Sequence, residues 1–148
     1  RHRRMTTIAC DGKTIAGDGQ LMNGNFIHSQ AYTKVFTLDD GRVAGFCGNA
    51  YDVPDALDYL NGKADKFSGS ETFEAIILAV DGTAKGMDWK GRFIPLSVPC
   101  ATGNGEQIAL TAMTCGYSAF GAVEIAIKLD TTTGGVITCA SPMPVTSL

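Results

Sequence analysis

The chain has 148 residues, 45% of them hydrophobic, and this length is typical of one domain that buries a core without disulfide or metal staples. Its 12 basic and 15 acidic residues give a net charge of -3, which argues against a broad cationic surface for nucleic acid or an anionic membrane. The 5 cysteines are scattered and include no C-x-x-C pair, so the sequence indicates neither a disulfide framework nor a zinc site.

No stretch of the sequence is apolar for long enough to predict a membrane-spanning helix. The longest purely apolar run, residues 75–80, is far shorter than the ~20 residues that such a helix needs. Because the cysteine pattern fits a reducing compartment, we expect a cytoplasmic protein. Only His2 and His28 are present, so a histidine-based metal site is poorly supported, and we expect no cofactor.

The start of the chain combines a basic run with a Met-Thr junction. We interpret residues 1–5 as a tag remnant or a short pro-segment, and we expect residues 6–148 to form a single domain. A Thr placed directly after Met5 can become a new N-terminus that carries both a hydroxyl and a free amine. Such a Thr6 would combine a nucleophile and a base in one residue. Met-Thr-Thr is also a common way for a gene to begin.

The first third of the chain reads as a series of hairpins. Residues 6–10 and 13–17 are predicted strands, joined by Asp11-Gly12, a dipeptide that favours tight hairpin turns. The residues around Asn23-Gly24-Asn25 predict another turn, followed by a short strand at 26–28. Residues 34–38 and 42–48 predict a further hairpin.

From Asn49 onward the apolar residues recur with helical spacing. Val53, Ala56, Leu57 and Leu60 predict a helix that ends near Asn61, and residues 63–71 predict a polar loop. Strands are predicted at residues 72–80, 83–89, 93–98 and 136–140, and helices at 106–114 and 118–129. This order predicts an α+β fold with stacked antiparallel sheets and helices outside.

Six short segments occur in an order that is typical of one family. They are Thr6-Thr7-Ile8, residues 15–20, Asn25-Phe26-Ile27 leading to Lys34, Ala44-Gly45 followed by Gly48, residues 102–105, and residues 130–135. Together they resemble the N-terminal nucleophile hydrolases of the proteasome β-subunit and HslV peptidase family, over residues 6–139. The resemblance implies a four-layer αββα sandwich of two antiparallel sheets with outer helices.

Three departures from the family pattern accompany this resemblance. The first hairpin is a few residues shorter than in the family. Asn104 stands where proteasomes carry Ser, and an amide cannot relay a hydroxyl proton. Residues 63–71 form a short polar loop where the family has a second long helix, so one outer helix is expected to be missing.

The resemblance implies a threonine-type endopeptidase in which Thr6 is the nucleophile and its own amine is the base. Lys34 would be a cation beside Thr6, and Asp18 would hold and orient its ammonium. Gly45 would donate its backbone N–H to the oxyanion, Asp130 and Thr133 would bond around the Thr6 amine, and Asn104 completes the implied catalytic set. The implied substrate-binding residues are Gln20, Met22, Cys47 and Gly48. The chain is expected to be inactive while residues 1–5 remain attached, because they convert the amine to an amide.

The family also implies partners, and other functions remain open. A polypeptide substrate, a homo-oligomeric ring and an ATP-dependent unfoldase are expected, without nucleic acid or membrane. The alternative function is a non-catalytic structural subunit with the proteasome fold. Separately, the alternative for Asp18 and Lys34 is an ordinary surface pair. Gly17-Asp18-Gly19 and Gly103-Asn104-Gly105 fit known phosphate-binding loops poorly. A cysteine nucleophile lacks a His partner in the sequence.

Overall fold

The computed structural model describes residues 5–145 of the chain, which contain eleven strands and three α-helices. The strands are β1 (Thr7–Cys10), β2 (Ile15–Gly17), β3 (Leu21–Asn23), β4 (Phe26–Ser29), β5 (Val35–Thr37), β6 (Val43–Cys47), β7 (Glu74–Leu78), β8 (Ala84–Met87), β9 (Phe93–Leu96), β10 (Cys100–Gly103) and β11 (Thr138–Ala140). The helices are α1 (Val53–Leu60), α2 (Glu106–Thr114) and α3 (Ala119–Leu129), and a 3-10 turn at Ala50–Asp52 leads into α1.

Two antiparallel sheets stack face to face. The first has the strand order β10-β1-β2-β11, and the second has the order β5-β6-β7-β8-β9. Their facing sides bury branched side chains, including those of Ile8, Ile15, Val43, Ile76 and Leu78. Because side chains alternate along a strand, the opposite faces of both sheets are left for helices to cover.

Helices α2 and α3 cover the outer face of the first sheet. The contact is made largely by small residues, such as Ala9, Ala16, Ala109 and Ala122, which lets the helices lie close to the strands. The start of α3 is fixed by Asp11, whose Oδ2 accepts a hydrogen bond from Ala119 N at 3.0 Å. The same side chain caps the turn between β1 and β2, so this hairpin and the helix are positioned together.

The second sheet is covered by α1 and by the polar segment that follows it. Val53, Ala56 and Leu60 of α1 are buried against this sheet. Beside them, Phe67 and Phe73 are 6% and 0% exposed, and their ring centroids lie 5.2 Å apart. Phe67 of the predicted loop therefore packs together with Phe73 of the strand predicted after it, where a second outer helix is missing. The α+β sandwich with a reduced outer helical layer is confirmed.

Two strands lie where the sequence pattern predicts none. β3 pairs with β4 as a separate two-stranded sheet, although residues 21–23 lack clear alternation. β10 contains small residues with little strand preference, and its conformation is set by pairing with β1 and by packing under α2. Residues 1–4 lie outside the described part, so the interpretation of residues 1–5 as a tag or pro-segment stays a prediction. None of the helices within residues 5–145 is long and apolar enough to cross a membrane.

Candidate active site

Thr6 lies just before β1 and is held between the two sheets. Its carbonyl oxygen accepts a hydrogen bond from Asn104 N at 2.7 Å, which continues the ladder between β1 and β10. One residue further on, Thr7 N donates to Asp18 Oδ1 at 3.1 Å. These two hydrogen bonds tie the backbone at Thr6 and Thr7 to the two neighbouring chain segments. Thr6 is 5% exposed. Its side chain is therefore positioned by a paired strand and not by a mobile terminus.

Lys34 makes the central polar contact to the Thr6 side chain. Its Nζ donates to Thr6 Oγ1 at 3.1 Å, to Asp18 Oδ1 at 2.8 Å and to the Met5 carbonyl oxygen at 3.4 Å. Lys34 directly precedes β5, and its own carbonyl oxygen accepts from Phe46 N at 2.9 Å. The sheet thus fixes the backbone from which the ammonium reaches Thr6. The predicted neighbours Thr6, Asp18 and Lys34 are brought together.

The Asp18 carboxylate is buried, and both of its oxygens accept hydrogen bonds. Besides Lys34 and Thr7 N on Oδ1, its Oδ2 accepts a hydrogen bond from Gly134 N at 3.1 Å. The side chains of Lys34 and Asp18 are 5% and 0% exposed, so the alternative of an ordinary surface pair is wrong. A buried ammonium without such a partner would lose its charge.

The electrostatics at Lys34 reflect two opposing effects. Burial lowers the pKa of the Lys34 ammonium, and the nearby Asp18 carboxylate opposes this by charge attraction and a hydrogen bond. The net result is a pKa below the ordinary lysine value of 10.5. Asp18 therefore retains the positive charge next to the Thr6 hydroxyl in surroundings that disfavour it.

A second hydrogen-bonded group anchors the neighbouring residue, Thr7. Its Oγ1 lies 2.8 Å from Thr133 Oγ1, and Thr133 Oγ1 donates to Asp130 Oδ2 at 2.5 Å. These contacts reach the Thr7 hydroxyl, and the bonds of Asp130 and Thr133 to a free Thr6 amine stay a prediction. Because successive side chains of a strand turn to opposite faces of the sheet, the Thr7 hydroxyl lies on the face opposite to that of the Thr6 side chain.

Asn104 joins this second group to Thr6. Its backbone N–H holds the Thr6 carbonyl, while its Nδ2 donates to Thr132 Oγ1 at 2.8 Å and to Asp130 Oδ1 at 3.4 Å. Burial acts to raise the pKa of Asp130, but hydrogen bonds from Thr133, Thr132 and Asn104 outweigh it and hold that pKa below its ordinary value. The carboxylate is thus kept ionised as a shared acceptor.

A cavity of about 130 Å³ opens beside the Thr6 hydroxyl. Its lining includes Thr6 and Lys34 together with the residues predicted to bind substrate, Gln20, Met22, Cys47 and Gly48. Gln20 Nε2 donates to Met22 Sδ at 3.3 Å, which orders this wall. The structure brings these four residues to one place, and their role in binding substrate stays a prediction.

Gly45 lies away from this cavity. It is in the middle of β6, paired with Val35 and Ile76, and a Cβ on it would come within 2.7 Å of Ile8 Cγ2 in the core. Gly48 lines the cavity instead, with a φ of +112° that favours glycine. The structure does not place Gly45 at this cavity, as the predicted oxyanion role requires, and the glycine in the cavity lining is Gly48, three positions later in the chain.

Other parts of the chain pack directly against the two glycine-rich segments that were compared with phosphate-binding loops. A Cβ on Gly103 would overlap the Thr6 carbonyl oxygen, and one on Gly19 would overlap that of Val136. Their glycines permit close backbone contact within the site. Among residues 5–145, no group of three or more His, Cys, Asp or Glu side chains is placed to hold a metal ion.

Thr7, Thr132 and Gly134 are site residues that the sequence reasoning did not assign. Gly134 donates its N–H to Asp18, and Thr132 accepts from Asn104. The run of hydroxyl residues at 131–133 and the glycines after it carried a signal for this turn. Which hydroxyl contacts which strand residue depends on the packing of α3 against the first sheet, and the sequence alone does not contain it.

Sequence comparison relates the chain to bacterial proteases. No protein-family model matches it. Over 76 residues it is 36% identical to the ATP-dependent protease subunit HslV of Pseudothermotoga lettingae, a match covering 50% of this chain and 43% of that protein. Over 83 residues it is 37% identical to the same subunit of Sulfurihydrogenibium sp., covering 53% and 47%. The matches thus span about half the length of these relatives.

Comparison of the folds extends over nearly the whole chain. The crystal structure of eukaryotic HslV from Trypanosoma brucei superposes with a TM-score of 0.72 at 18% identity, covering 91% of this chain and 97% of that one. The structure of Thiobacillus denitrificans BPH gives a TM-score of 0.68 at 19% identity, covering 95% and 99%. Over about half of its length the chain is thus similar in sequence to HslV protease subunits, and over nearly all of its length it has the HslV fold, with a buried Thr-Lys-Asp group at the start of its first strand.

Proposed function

We propose that this chain is a threonine-type endopeptidase with Thr6 as its nucleophile. The observation that carries the proposal is the contact of 3.1 Å between Thr6 Oγ1 and a buried, Asp18-paired Lys34 ammonium, at the edge of a cavity. A purely structural subunit has no need for a buried ion pair directed at one hydroxyl. The sequence similarity to HslV protease subunits supports the same activity.

In the proposed reaction, Thr6 Oγ1 attacks the carbonyl carbon of a peptide bond and the Thr6 amine accepts the hydroxyl proton. The positive charge of Lys34 favours the deprotonated forms of both groups. The amine then returns the proton to the leaving nitrogen, and water hydrolyses the resulting ester. While Met5 is joined to Thr6, the Thr6 nitrogen is an amide that cannot accept a proton. The activity therefore requires hydrolysis of the Met5–Thr6 bond.

The negative charge that develops on the substrate oxygen needs a donor on the cavity side of Thr6. We assign this role to the backbone N–H of Gly48, because Gly48 lines the cavity that opens beside Thr6. One such donor is typically worth about 2.7–4 kcal/mol of transition-state stabilisation. Gln20, Met22 and Cys47 would then contact the substrate side chain next to the cleaved bond.

The proposed enzyme works as a ring of identical subunits with an ATP-dependent unfoldase as partner and an unfolded polypeptide as substrate. The similarity to proteins named as ATP-dependent protease subunits supports this arrangement. Large apolar side chains on the surface, such as Phe26 and Tyr51 at 80% and 90% exposure, are suited to contacts between subunits. Native mass spectrometry of the processed protein tests the assembly.

The catalytic assignment is tested with protein that begins at Thr6, released from a cleavable fusion, and with matched protein that retains residues 1–5. Hydrolysis of an unstructured polypeptide is measured for both, together with Thr6→Ala, Thr6→Ser and Thr37→Ala variants of the released form. Thr37 is an exposed strand residue and serves as the control. We expect activity in the released protein, a weaker activity in Thr6→Ser, an unchanged one in Thr37→Ala and none in Thr6→Ala.

An epoxyketone that reacts with both the hydroxyl and the amine of an N-terminal Thr gives an independent readout. We expect a mass adduct on the released protein and none on the form with residues 1–5. Folded protein with a free Thr6, assembled as a ring, that gives neither hydrolysis nor adduct would favour the alternative of a structural subunit. Full activity in Thr6→Ala would exclude Thr6 as nucleophile.

A further inference from the structure

Cys10 and Cys100 face each other across two neighbouring strands. Cys10 is the last residue of β1 and Cys100 the first of β10, and the antiparallel register pairs them directly. Both side chains point into the core between the two sheets, where Cys10 is fully buried and Cys100 packs against the same cluster. We propose that these two thiols form a redox modification site, which closes to a disulfide in the presence of a small-molecule disulfide such as oxidised glutathione.

The backbone spacing at this pair suits a disulfide. The bond from Asn104 N to Thr6 O marks Thr6 and Asn104 as a hydrogen-bonded pair of the ladder. Such pairs recur at every second residue, so Cys10 and Cys100 also form one, with a Cα separation of about 5.5 Å. Disulfides usually span Cα separations of about 4.4–6.8 Å. The Cα separation therefore lies in the disulfide range, while the two Cβ atoms, about 4.5–5.5 Å apart in such pairs, must approach to about 3.5–4.5 Å when the bond forms.

The two thiols already interact in the reduced protein. A hydrogen bond from the Cys100 thiol lowers the pKa of Cys10, while burial acts in the opposite direction. The same hydrogen bond and burial raise the pKa of Cys100. The two thiols thus lie within hydrogen-bonding reach of each other, and loss of one proton leaves a thiolate directly beside the other sulfur. Thiolates are the attacking species in disulfide exchange.

An access path leads to Cys100 and not to Cys10. A groove of about 560 Å³ lies at the open side of the sandwich, and Cys100 is on its wall together with Ile94, Leu96 and Thr102. Cys10 has no exposed surface. A reagent that enters the groove therefore meets Cys100 first, with Cys10 behind it as the second thiol.

The exchange proceeds in two steps. The pair first loses one proton to solvent. Cys100 then passes the remaining proton to Cys10 and attacks one sulfur of the small disulfide, whose other sulfur leaves as a thiolate and takes up a proton from solvent, so that a mixed disulfide forms on Cys100. Cys10 then attacks the Cys100 sulfur and releases the second small thiolate, and its proton passes to a released thiolate. Two protein thiols are oxidised, and one small disulfide is reduced to two thiols.

This site is separate from the proposed catalytic chemistry but shares its strands. β1 begins directly after Thr6, and β10 leads into Asn104, which holds the Thr6 carbonyl. A bond between Cys10 and Cys100 would fix the far ends of the same two strands. The inference does not depend on peptidase activity, so its test uses a chemical readout alone.

The full chain is reduced, exchanged into buffer with oxidised glutathione under native conditions, and then denatured with an alkylating reagent before mass analysis. Trypsin leaves Cys100 and Cys115 on one peptide, residues 93–128, because no Lys or Arg lies between them. A Cys115→Ser variant at this exposed position therefore assigns the link. A Cys100→Ser variant lacks one thiol of the pair and serves as the matched control that cannot form the link.

We expect wild type and Cys115→Ser to lose two hydrogen atoms without retaining glutathione on this pair, and to yield a linked peptide joining Cys10 to residues 93–128. In Cys100→Ser, Cys10 should stay alkylated. The proposal is overturned if Cys115→Ser keeps Cys10 as a free thiol, retains glutathione on Cys100, or links Cys10 to Cys47 or Cys139. If Cys100→Ser does not fold, the Cys115→Ser result decides alone.

Discussion

The Lys34 ammonium and the Asp18 carboxylate form an ion pair at 2.8 Å whose side chains are 5% and 0% exposed. The contact joins the end of β2 to the start of β5, so it links the two sheets at the point where Thr6 enters β1. Burial of both charges means that each depends on the other. The consequences for stability and activity can be separated by substitution.

Asp18→Asn should destabilise the fold by about 3–5 kcal/mol, because it leaves the Lys34 charge buried without its partner. The free energy of unfolding, measured by urea titration, checks this value. Asp40→Asn is the matched control, since Asp40 pairs with Arg42 at 2.7 Å but is 57% exposed. Its effect should stay below about 1 kcal/mol. Equal losses in the two variants would show that burial is not the deciding factor.

Asp130 should contribute stability that is lost in acid. Its folded-state pKa lies below the ordinary value of 3.8, because the hydrogen bonds from Thr133, Thr132 and Asn104 outweigh the effect of burial. The unfolded chain therefore binds the proton more tightly, and the stabilisation is present above about pH 4 and declines as the pH falls through the folded-state pKa. The difference in free energy of unfolding between wild type and Asp130→Asn should shrink below about pH 4.

Thr133→Val tests the cause of this pH dependence. It removes the donor that lies 2.5 Å from Asp130 Oδ2 while keeping the size of the side chain. The acid-dependent difference attributed to Asp130 should become smaller in this background. A difference between wild type and Asp130→Asn that is the same at pH 3 and at pH 6 would contradict the explanation.

Most of the fold was accessible from the sequence because it rests on short-range patterns. The turn at Asp11-Gly12 and the helical spacing from Val53 to Leu60 predict the hairpin and α1 that the structure shows. β10 was missed because its small residues are extended only through pairing with β1. Phe67 was read as part of a loop, since its burial against Phe73 depends on the absence of a second outer helix.

The site was predictable in residue type but less so in contacts. Thr6, Asp18 and Lys34 meet as expected, since each lies at a strand end that the hairpin pattern brings to one edge. The contacts of Thr133 fall on Thr7, one residue from the prediction, because a shift of one position reverses the face of a strand. The glycine that lines the cavity is Gly48 and not the predicted Gly45. Gly45 lies within β6, whereas Gly48 lies beyond the end of that strand.

Gly45→Ala and Gly48→Ala should separate packing from catalysis. In Gly45→Ala the new methyl group meets Ile8 and Ile15 in the core, so we expect a loss of about 1–3 kcal/mol in stability. The kcat/KM per folded molecule should change little. In Gly48→Ala a side chain at φ +112° would come within 2.7 Å of Phe73 Cα and displace the backbone beside Thr6.

For Gly48→Ala we therefore expect kcat/KM to fall by about 10²-fold or more, as for loss of one oxyanion donor. Activities are normalised to the fraction of folded protein, which is taken from circular dichroism. Gly62→Ala is the control for positive φ alone, because Gly62 has φ +75° and open space around it. A larger loss of normalised activity in Gly45→Ala than in Gly48→Ala would restore Gly45 as the donor.

Phe67 should carry much of the stability that a second outer helix would otherwise supply. It is 6% exposed, and its ring lies 6.1 Å from that of Tyr59 and 5.2 Å from that of Phe73. Phe67→Ala leaves a cavity above the second sheet, and we expect a loss of about 3–5 kcal/mol in the free energy of unfolding. Lys66→Ala, at an exposed side chain in the same segment, should change it by less than about 0.5 kcal/mol. If the two substitutions have equal effects, the segment after α1 does not act as part of the core, and the second sheet must be covered by another subunit.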